Sequence, residues 1–229
     1  MKSIVFIGLV ILIPATILAA DDWPDVTEEG LHRIEDSKLS VVYADPDANL
    51  SPYHRVNLLG AEVAFRKNWE RDQRLGSGRT IRVTSKDVEK IKNDLAALMN
   101  EEFTRALEEG GYAITDEIGD DVLLVRPAII NLDVNAPDTM RSGRSRSYTQ
   151  SAGEMTLFIE LYDSVTGDLL AKALDRQKEP NSGYYTWSNS VTNRAAATKI
   201  VKGWAGILVG ALDEARSDLL NEQDGNSVD

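Results

Sequence analysis

Cysteine is absent from all 229 residues of the chain. This absence excludes disulfide bonds, cysteine-ligated zinc and iron–sulfur sites, and cysteine nucleophiles. Basic residues are also scarce, because 25 Lys and Arg stand against 37 Asp and Glu and leave a formal net charge of -12. A chain with this charge repels phosphate backbones, so we expect no nucleic-acid partner. Hydrophobic residues make up 42% of the chain, which is enough for the core of one or at most two domains without cross-links.

Histidine is nearly absent as well, since His32 and His54 are the only two in the chain. Neither lies in an HExxH spacing, and no GxSxG sequence is present that would expose a serine nucleophile. The glycine-rich stretch at residues 76–79 lacks the remaining glycine of a phosphate-binding loop. The sequence therefore contains no convergent catalytic set, and we expect a protein without a cofactor that is not an enzyme.

Residues 1–20 have the pattern of a signal peptide. Lys2 precedes an uncharged apolar run, which ends in small residues directly before the acidic Asp21. Cleavage is expected after Ala19 or Ala20, and the product would be periplasmic. The alternative is an uncleaved inner-membrane anchor, because the apolar run reaches the lower limit of about 17 residues that cross a bilayer. We expect no stable membrane span after cleavage, because no later segment has the composition of one.

The rest of the chain divides into three parts by composition. Residues 21–37 are an acidic lead-in, residues 38–220 form a single α/β domain, and residues 221–229 are a polar tail. No internal repeat is present. The boundaries follow the change from weakly patterned acidic sequence to regular apolar periodicity and back.

Two long helices are predicted inside this domain. The first runs from about Ser85 to Glu109, where Thr84 and Asp87 have the spacing of a capping box and apolar residues recur at helical intervals. The second runs from about Asn189 to Leu220. Alternating or β-branched stretches predict strands at residues 38–43, 53–69 with a bend at Gly60, 112–114, 122–134, 154–162 and 169–174.

These elements predict an α/β (α+β) two-layer sandwich, in which a mixed β-sheet carries both long helices on one face. The strand at residues 122–134 has the most regular alternation in the chain. Its pattern places six residues on one face: Val122, Leu124, Ala128, Ile130, Leu132 and Val134.

Carboxylates provide the weak metal-site candidates. Asp116, Asp120 and Asp121 lie in one short acidic turn and could surround a divalent ion, although a solvated turn between strands is the plainer explanation. Residues 45–49 begin like a calcium-binding loop, but Leu50 stands where that loop needs glycine. We therefore interpret Asp45 and Asp47 as turn-forming residues.

Two further groups are candidates for binding rather than catalysis. Arg141, Arg144 and Arg146 form a local positive patch in a polar stretch, which could contact an anionic lipid or polysaccharide. Tyr184 and Tyr185 lie between the last predicted strand and the last helix, where exposure would make them a recognition surface.

Several stretches together resemble a bacterial family called domain of unknown function 3313, whose members are described mostly as envelope lipoproteins. The matching stretches are LSPYHRV at 50–56, DVLLVR at 121–126, AGEMTL at 152–157, ELYDSVTG at 160–167 and WA at 204–205. The resemblance implies an envelope protein and brings no reaction or catalytic residue with it. Many members carry a lipid-modified cysteine after the signal peptide, whereas this chain has Ala19-Ala20-Asp21 there. A lipid anchor on cysteine is therefore excluded.

These observations lead to two hypotheses about function. The first is an exported, non-enzymatic periplasmic module that binds another envelope protein or a cell-envelope component. The alternative is a small-ligand protein or metal-dependent enzyme that uses carboxylates, with Asp45, Asp47, Asp116 and Asp120 as the candidates. The sequence leaves the oligomeric state open.

Overall fold

A computed structural model describes residues 23–76, 83–134, 148–149, 153–178, 186–187 and 190–225. The predicted signal peptide lies outside these residues. The described strands and helices are β1 (His32–Ile34), β2 (Val41–Ala44), β3 (Arg55–Leu58), β4 (Glu62–Phe65), α1 (Trp69–Gly76), α2 (Ser85–Glu109), β5 (Ala113–Ile114), β6 (Val122–Val134), β7 (Tyr148–Thr149), β8 (Gly153–Asp163), β9 (Leu169–Lys178), β10 (Thr186–Trp187) and α3 (Ser190–Gly225).

Eight of these strands form one mixed sheet. Its order is β1-β2-β9-β8-β6-β3-β5, and β4 pairs with β6 further along that strand. Strands β3 and β4 run parallel to β6, while β6, β8, β9, β2 and β1 pair successively antiparallel. Strands β7 and β10 form a separate two-stranded pair. The predicted bend at Gly60 is confirmed, because it separates β3 from β4.

Helix α2 has the predicted bounds, and its ends show why. The hydroxyl of Thr84 accepts a hydrogen bond from the Asp87 N–H at 3.2 Å, and the Asp87 carboxylate accepts one from the Thr84 N–H at 2.9 Å. At the other end Gly111 has a positive φ of 83°, which a side chain would disfavour. One face of the helix is buried against the sheet through Leu95, Leu98, Met99, Phe103 and Leu107.

Helix α3 packs on the same face of the sheet as α2. Its buried side chains join the main core, and they are Val201, Trp204, Ala205, Leu208 and Leu212. The two-layer arrangement, with both long helices on one face of a mixed sheet, is therefore confirmed. The helix also continues to Gly225, so the predicted boundary at Leu220 lies inside it.

A buried carboxylate fastens α3 to the sheet. Asp175 on β9 is only 3% exposed, and its Oδ2 accepts hydrogen bonds from Trp204 Nε1 and Gln177 Nε2, both at 2.7 Å. Its Oδ1 accepts bonds from the Ser40 hydroxyl at 2.6 Å and the Ser40 N–H at 3.1 Å. Burial raises the pKa of Asp175, but these donors outweigh burial and hold the pKa below its ordinary value.

The expectation that no later segment is apolar enough to cross a membrane is wrong for α3. By length and composition, Arg194–Ser217 could do so, and it is the one such helix among the described residues. Its apolar character has a structural source, because the buried stripe through Val201, Trp204 and Leu208 packs on the sheet.

The predicted inward face of β6 is largely wrong. Val122 and Leu132 are buried as expected, whereas Leu123, Val125 and Ile129 are the residues that join the core between them. The others predicted on that face, Leu124, Ala128, Ile130 and Val134, are half-buried. Both faces of this strand are apolar, and Asn131 has a φ of 54° where the pairing register with β8 shifts. This irregularity interrupts the alternation of the strand. Leu132 therefore points into the core on the same face as Leu123, Val125 and Ile129.

The acidic lead-in packs on the sheet face opposite the helices. Trp23 and Leu31 contact Val41 and Tyr43, which form a small cluster separate from the main core. The Tyr43 hydroxyl donates a hydrogen bond to the Pro24 carbonyl at 2.8 Å. The lead-in therefore covers the β2 end of the face opposite α2 and α3.

Candidate functional site

The structure describes only some of the predicted site residues. Arg141, Arg144, Arg146, Tyr184 and Tyr185 lie outside the described residues. The acidic candidates are described: Asp116, Asp120 and Asp121 lie between β5 and β6, and Asp45 and Asp47 lie in the turn after β2.

Strand pairing brings three turns together at one end of the sheet. Because β3 is parallel to β6 and Arg55 pairs with Val122, the chain before β3 lies beside the chain before β6. Because β8 is antiparallel to β6 and Asp163 pairs with Leu123, the turn after β8 reaches the same end. We call residues 50–54, 115–121 and 163–168 the turn platform. It contains parts of three of the stretches that carry the family resemblance.

Arg55 ties the acidic turn of the platform to β3. Its Nε and Nη2 donate to the two carboxylate oxygens of Asp121 at 2.7 and 2.6 Å, and its Nη1 donates to Glu117 at 2.6 Å. His54 Nε2 lies 2.9 Å from Asp121 as well. The Arg55 hydrogen bonds lower the pKa of Asp121 to about 2, and those from Asp121 and Glu117 raise the pKa of Arg55.

Asp163 organises the turn after β8. Its Oδ1 accepts hydrogen bonds from the N–H groups of Val165 and Thr166 at 2.8 and 2.7 Å, and its Oδ2 accepts one from the Tyr53 hydroxyl at 2.7 Å. The Thr166 and Val165 N–H groups and the Tyr53 hydroxyl together hold the pKa of Asp163 below its usual value. The pKa of the Tyr53 phenol is raised, mainly by burial and in addition by its hydrogen bond to Asp163. Asp163 is therefore a turn-stabilising anion.

The two turns are also joined to each other. The Ser164 hydroxyl accepts a hydrogen bond from the Gly119 N–H at 3.1 Å and donates one to the Gly119 carbonyl at 3.0 Å. A Cβ atom at Gly119 would lie 2.9 Å from Arg55 Nη2 and 3.0 Å from Asp121 Oδ1, so a larger residue would disturb the ion pair. The platform is thus cross-braced by ion pairs, side-chain bonds and backbone bonds.

Two apolar side chains project from these braced turns. Ile118 is 65% exposed and Val165 is 53% exposed, and each is the chain neighbour of one partner in the Ser164–Gly119 pair. The sequence analysis did not select either residue, because it considered only the acidic residues of these turns as candidate ligands. A usable signal was present, since each is a lone large apolar residue inside a polar turn.

The platform carries many carboxylates but no described metal centre. Asp116, Glu117, Asp120 and Asp168 are exposed on the same two turns as Ile118 and Val165. No group of three or more His, Asp or Glu within the described ranges is placed to hold a metal ion. Asp121 instead faces Arg55 and His54. What the arrangement offers chemically is a braced acidic surface that carries two exposed apolar side chains.

Comparison with solved structures gives similar proteins at low identity. A PelC dodecamer from Paraburkholderia phytofirmans is 10% identical, with 72% of this chain and 95% of that chain covered and a TM-score of 0.37. Protein XCC0632 from Xanthomonas campestris is 12% identical, with coverages of 80% and 94% and a TM-score of 0.44. A lipoprotein-like protein from Caulobacter crescentus is 14% identical, with coverages of 79% and 96% and a TM-score of 0.29.

No curated protein matches the chain. A family model described as "Protein of unknown function (DUF3313)" matches residues 28–208, a span that includes the sheet, α2, the turn platform and most of the core-facing part of α3. The resemblance carried by the five sequence stretches is thereby confirmed, and the chain belongs to the DUF3313 family.

Proposed function

We propose that this chain is an exported, non-enzymatic envelope protein that binds a partner in the periplasm through its turn platform. Export is supported by the signal-peptide pattern of residues 1–20. The binding role is supported chiefly by one observation, which is the exposure of Ile118 and Val165 on turns that are bonded to each other.

Rigid support matters because binding costs less when the contact residues are already ordered. Both residues are β-branched, so their side chains lose little rotamer freedom on binding. The bonds from Arg55, Tyr53 and Ser164 also hold the backbone of both turns. Preorganised apolar groups in a polar rim are the usual composition of a protein interface.

Site-specific photo-crosslinking in the native host tests this proposal. A photoreactive residue is placed at position 118 or 165. Matched controls carry it at Val26 or Ile34, which are 47% and 46% exposed and lie in the lead-in, outside the platform. We expect a discrete adduct from positions 118 and 165 that positions 26 and 34 do not give. Absence of an adduct at the platform, or equal adducts at all four positions, contradicts the proposal.

A further inference from the structure

We infer that the partner of the turn platform is a cationic protein segment that places an aliphatic or aromatic side chain against Ile118 and Val165. This inference rests on the proposed function, because it names the partner class of the same surface. It follows from three features of the platform, which are its charge, its apolar centre and its bracing.

The charge of the platform is strongly one-sided. Residues 115–121 and 163–168 contain six acidic residues and neither Lys nor Arg: Asp116, Glu117, Asp120, Asp121, Asp163 and Asp168. Arg55 contacts only Asp121 and Glu117 among them, and Asp163 accepts bonds from its own turn and from the Tyr53 hydroxyl. Exposed carboxylates therefore remain around the apolar pair, and a partner with Lys or Arg would be steered toward them.

The same charge excludes other occupants of this surface. An anionic lipid headgroup would be repelled, because the surface lacks the basic residues that such headgroups need. A second copy of this chain that used the same surface would bring two sets of carboxylates together in an isologous contact. A cationic segment of another protein relieves this repulsion and buries the apolar centre at once.

The apolar centre sets the second requirement on the partner. Ile118 and Val165 are more exposed than any other large hydrophobic residue among those described. Burying both side chains would contribute enough for at least about a tenfold gain in affinity. A purely hydrophilic cation would leave this gain unused, so we expect basic and apolar residues to alternate or to lie close together in the partner.

Fluorescence anisotropy with defined peptides and the purified protein tests the inference. The probes are a labelled peptide of alternating Lys and Val, one of alternating Glu and Val, and one of alternating Lys and Ser. We expect the Lys–Val peptide to bind at least about tenfold more tightly than either other peptide, and to weaken as salt rises.

Matched variants locate the binding on the protein. Ile118→Ser with Val165→Ser should weaken Lys–Val binding by about tenfold or more, while Val26→Ser with Ile34→Ser, which removes the same residue types elsewhere, should leave it unchanged. Asp116→Asn with Asp120→Asn should weaken binding and reduce its salt dependence. Glu28→Gln with Glu35→Gln is the control of equal charge change in the lead-in. Circular dichroism of each variant checks that it is folded.

Clear results would overturn the inference. Equal binding of the Glu–Val peptide shows that charge does not select the partner, and equal binding of the Lys–Ser peptide shows that the apolar pair is not used. Unchanged binding by the Ile118 and Val165 variant shows that the peptide binds elsewhere. If crosslinks form at positions 118 and 165 but the Lys–Val peptide fails, the partner class is wrong while the proposed function stands. If no crosslink forms there, both are wrong.

Discussion

Replacing Asp175 with Asn tests how α3 is held on the sheet. Each oxygen of Asp175 accepts two hydrogen bonds. Oδ2 accepts from the side chains of Trp204 and Gln177, and Oδ1 accepts from the hydroxyl and the N–H of Ser40. An Asn side chain has only one oxygen, so its NH₂ group must face one of these two pairs of donors. The side chain is almost completely buried, and water cannot readily take over the lost contacts.

The expected loss follows from which pair the amide faces. Ser40 is exposed and its hydroxyl can rotate to accept, so the Asn NH₂ group should turn toward Ser40 and leave its oxygen for Trp204. The bond from the Ser40 N–H is then lost, and the remaining bonds lose the contribution of the negative charge. Hydrogen bonds to charged groups contribute about 1.5–3 kcal/mol each, so we expect Asp175→Asn to lower the free energy of unfolding by about 2–3 kcal/mol.

Equilibrium unfolding in urea, followed by far-ultraviolet circular dichroism, measures this loss. A double-mutant cycle that combines Asp175→Asn with Trp204→Phe isolates the hydrogen bond from the indole to the carboxylate. We expect a coupling energy of about 1–2 kcal/mol between the two positions. Circular dichroism is preferred to fluorescence because the second substitution removes one of the four tryptophans.

The pH dependence has a definite sign. Because the native pKa of Asp175 is depressed, the carboxylate stabilises the fold above its unfolded pKa of about 3.9. Its contribution declines as the pH falls below that value and is gone below the native pKa. The difference in unfolding free energy between the natural chain and Asp175→Asn should therefore stay constant from neutral pH to about pH 5 and shrink below about pH 4. A loss under 0.5 kcal/mol, or a difference that grows in acid, would refute the account.

Two other predictions concern the ends and contacts of the helices and strands. Thr84→Ala removes the capping box of α2 and should lower the free energy of unfolding in urea by about 1 kcal/mol. Thr84→Ser keeps the hydroxyl and should retain most of this stability. Equal free energies of unfolding for the two variants would show that the cap is not needed. Gly153→Ala should destabilise by more than about 2 kcal/mol, since its φ is 142° and the new Cβ would lie 2.1 Å from the Asp133 carbonyl oxygen. Gly206 lies within α3, where an added Cβ would meet no atom within 4 Å, so Gly206→Ala should instead add about 0.5–1 kcal/mol. A change of the same sign in both variants would contradict this reasoning.

Regular periodicity over a long stretch made most of the fold predictable. Helix α2 repeats its apolar residues over 25 positions, and the pair β8 and β9 alternates on both sides of a turn at Gly167. Strand β1 and helix α1 were missed because they are short and depend on distant contacts. Strand β1 has three residues paired with β2, and α1 is fixed by Trp69, which is buried and donates to the Val134 carbonyl at 3.2 Å.

The turn platform could be predicted only in part, because no local pattern specifies which strands pair. Arg55 and Asp121 are 66 positions apart, and only the parallel pairing of β3 with β6 places them together. From the sequence, Asp121 belonged to a cluster of carboxylates that could have held a metal ion. In the fold, the Arg55 guanidinium donates hydrogen bonds to both oxygens of Asp121 and compensates their charge.

This pairing changes how the remaining charge of the platform is interpreted. Arg55 compensates the charge of Asp121 and Glu117, whereas Asp116, Asp120 and Asp168 stay exposed on the same turns as Ile118 and Val165. The bonds that brace the turns are made by Arg55, Tyr53 and Ser164, and the side chains at positions 118 and 165 take no part in them. The fold therefore explains the bracing of the platform, and a bound partner is the physical reason that we assign to its apolar centre.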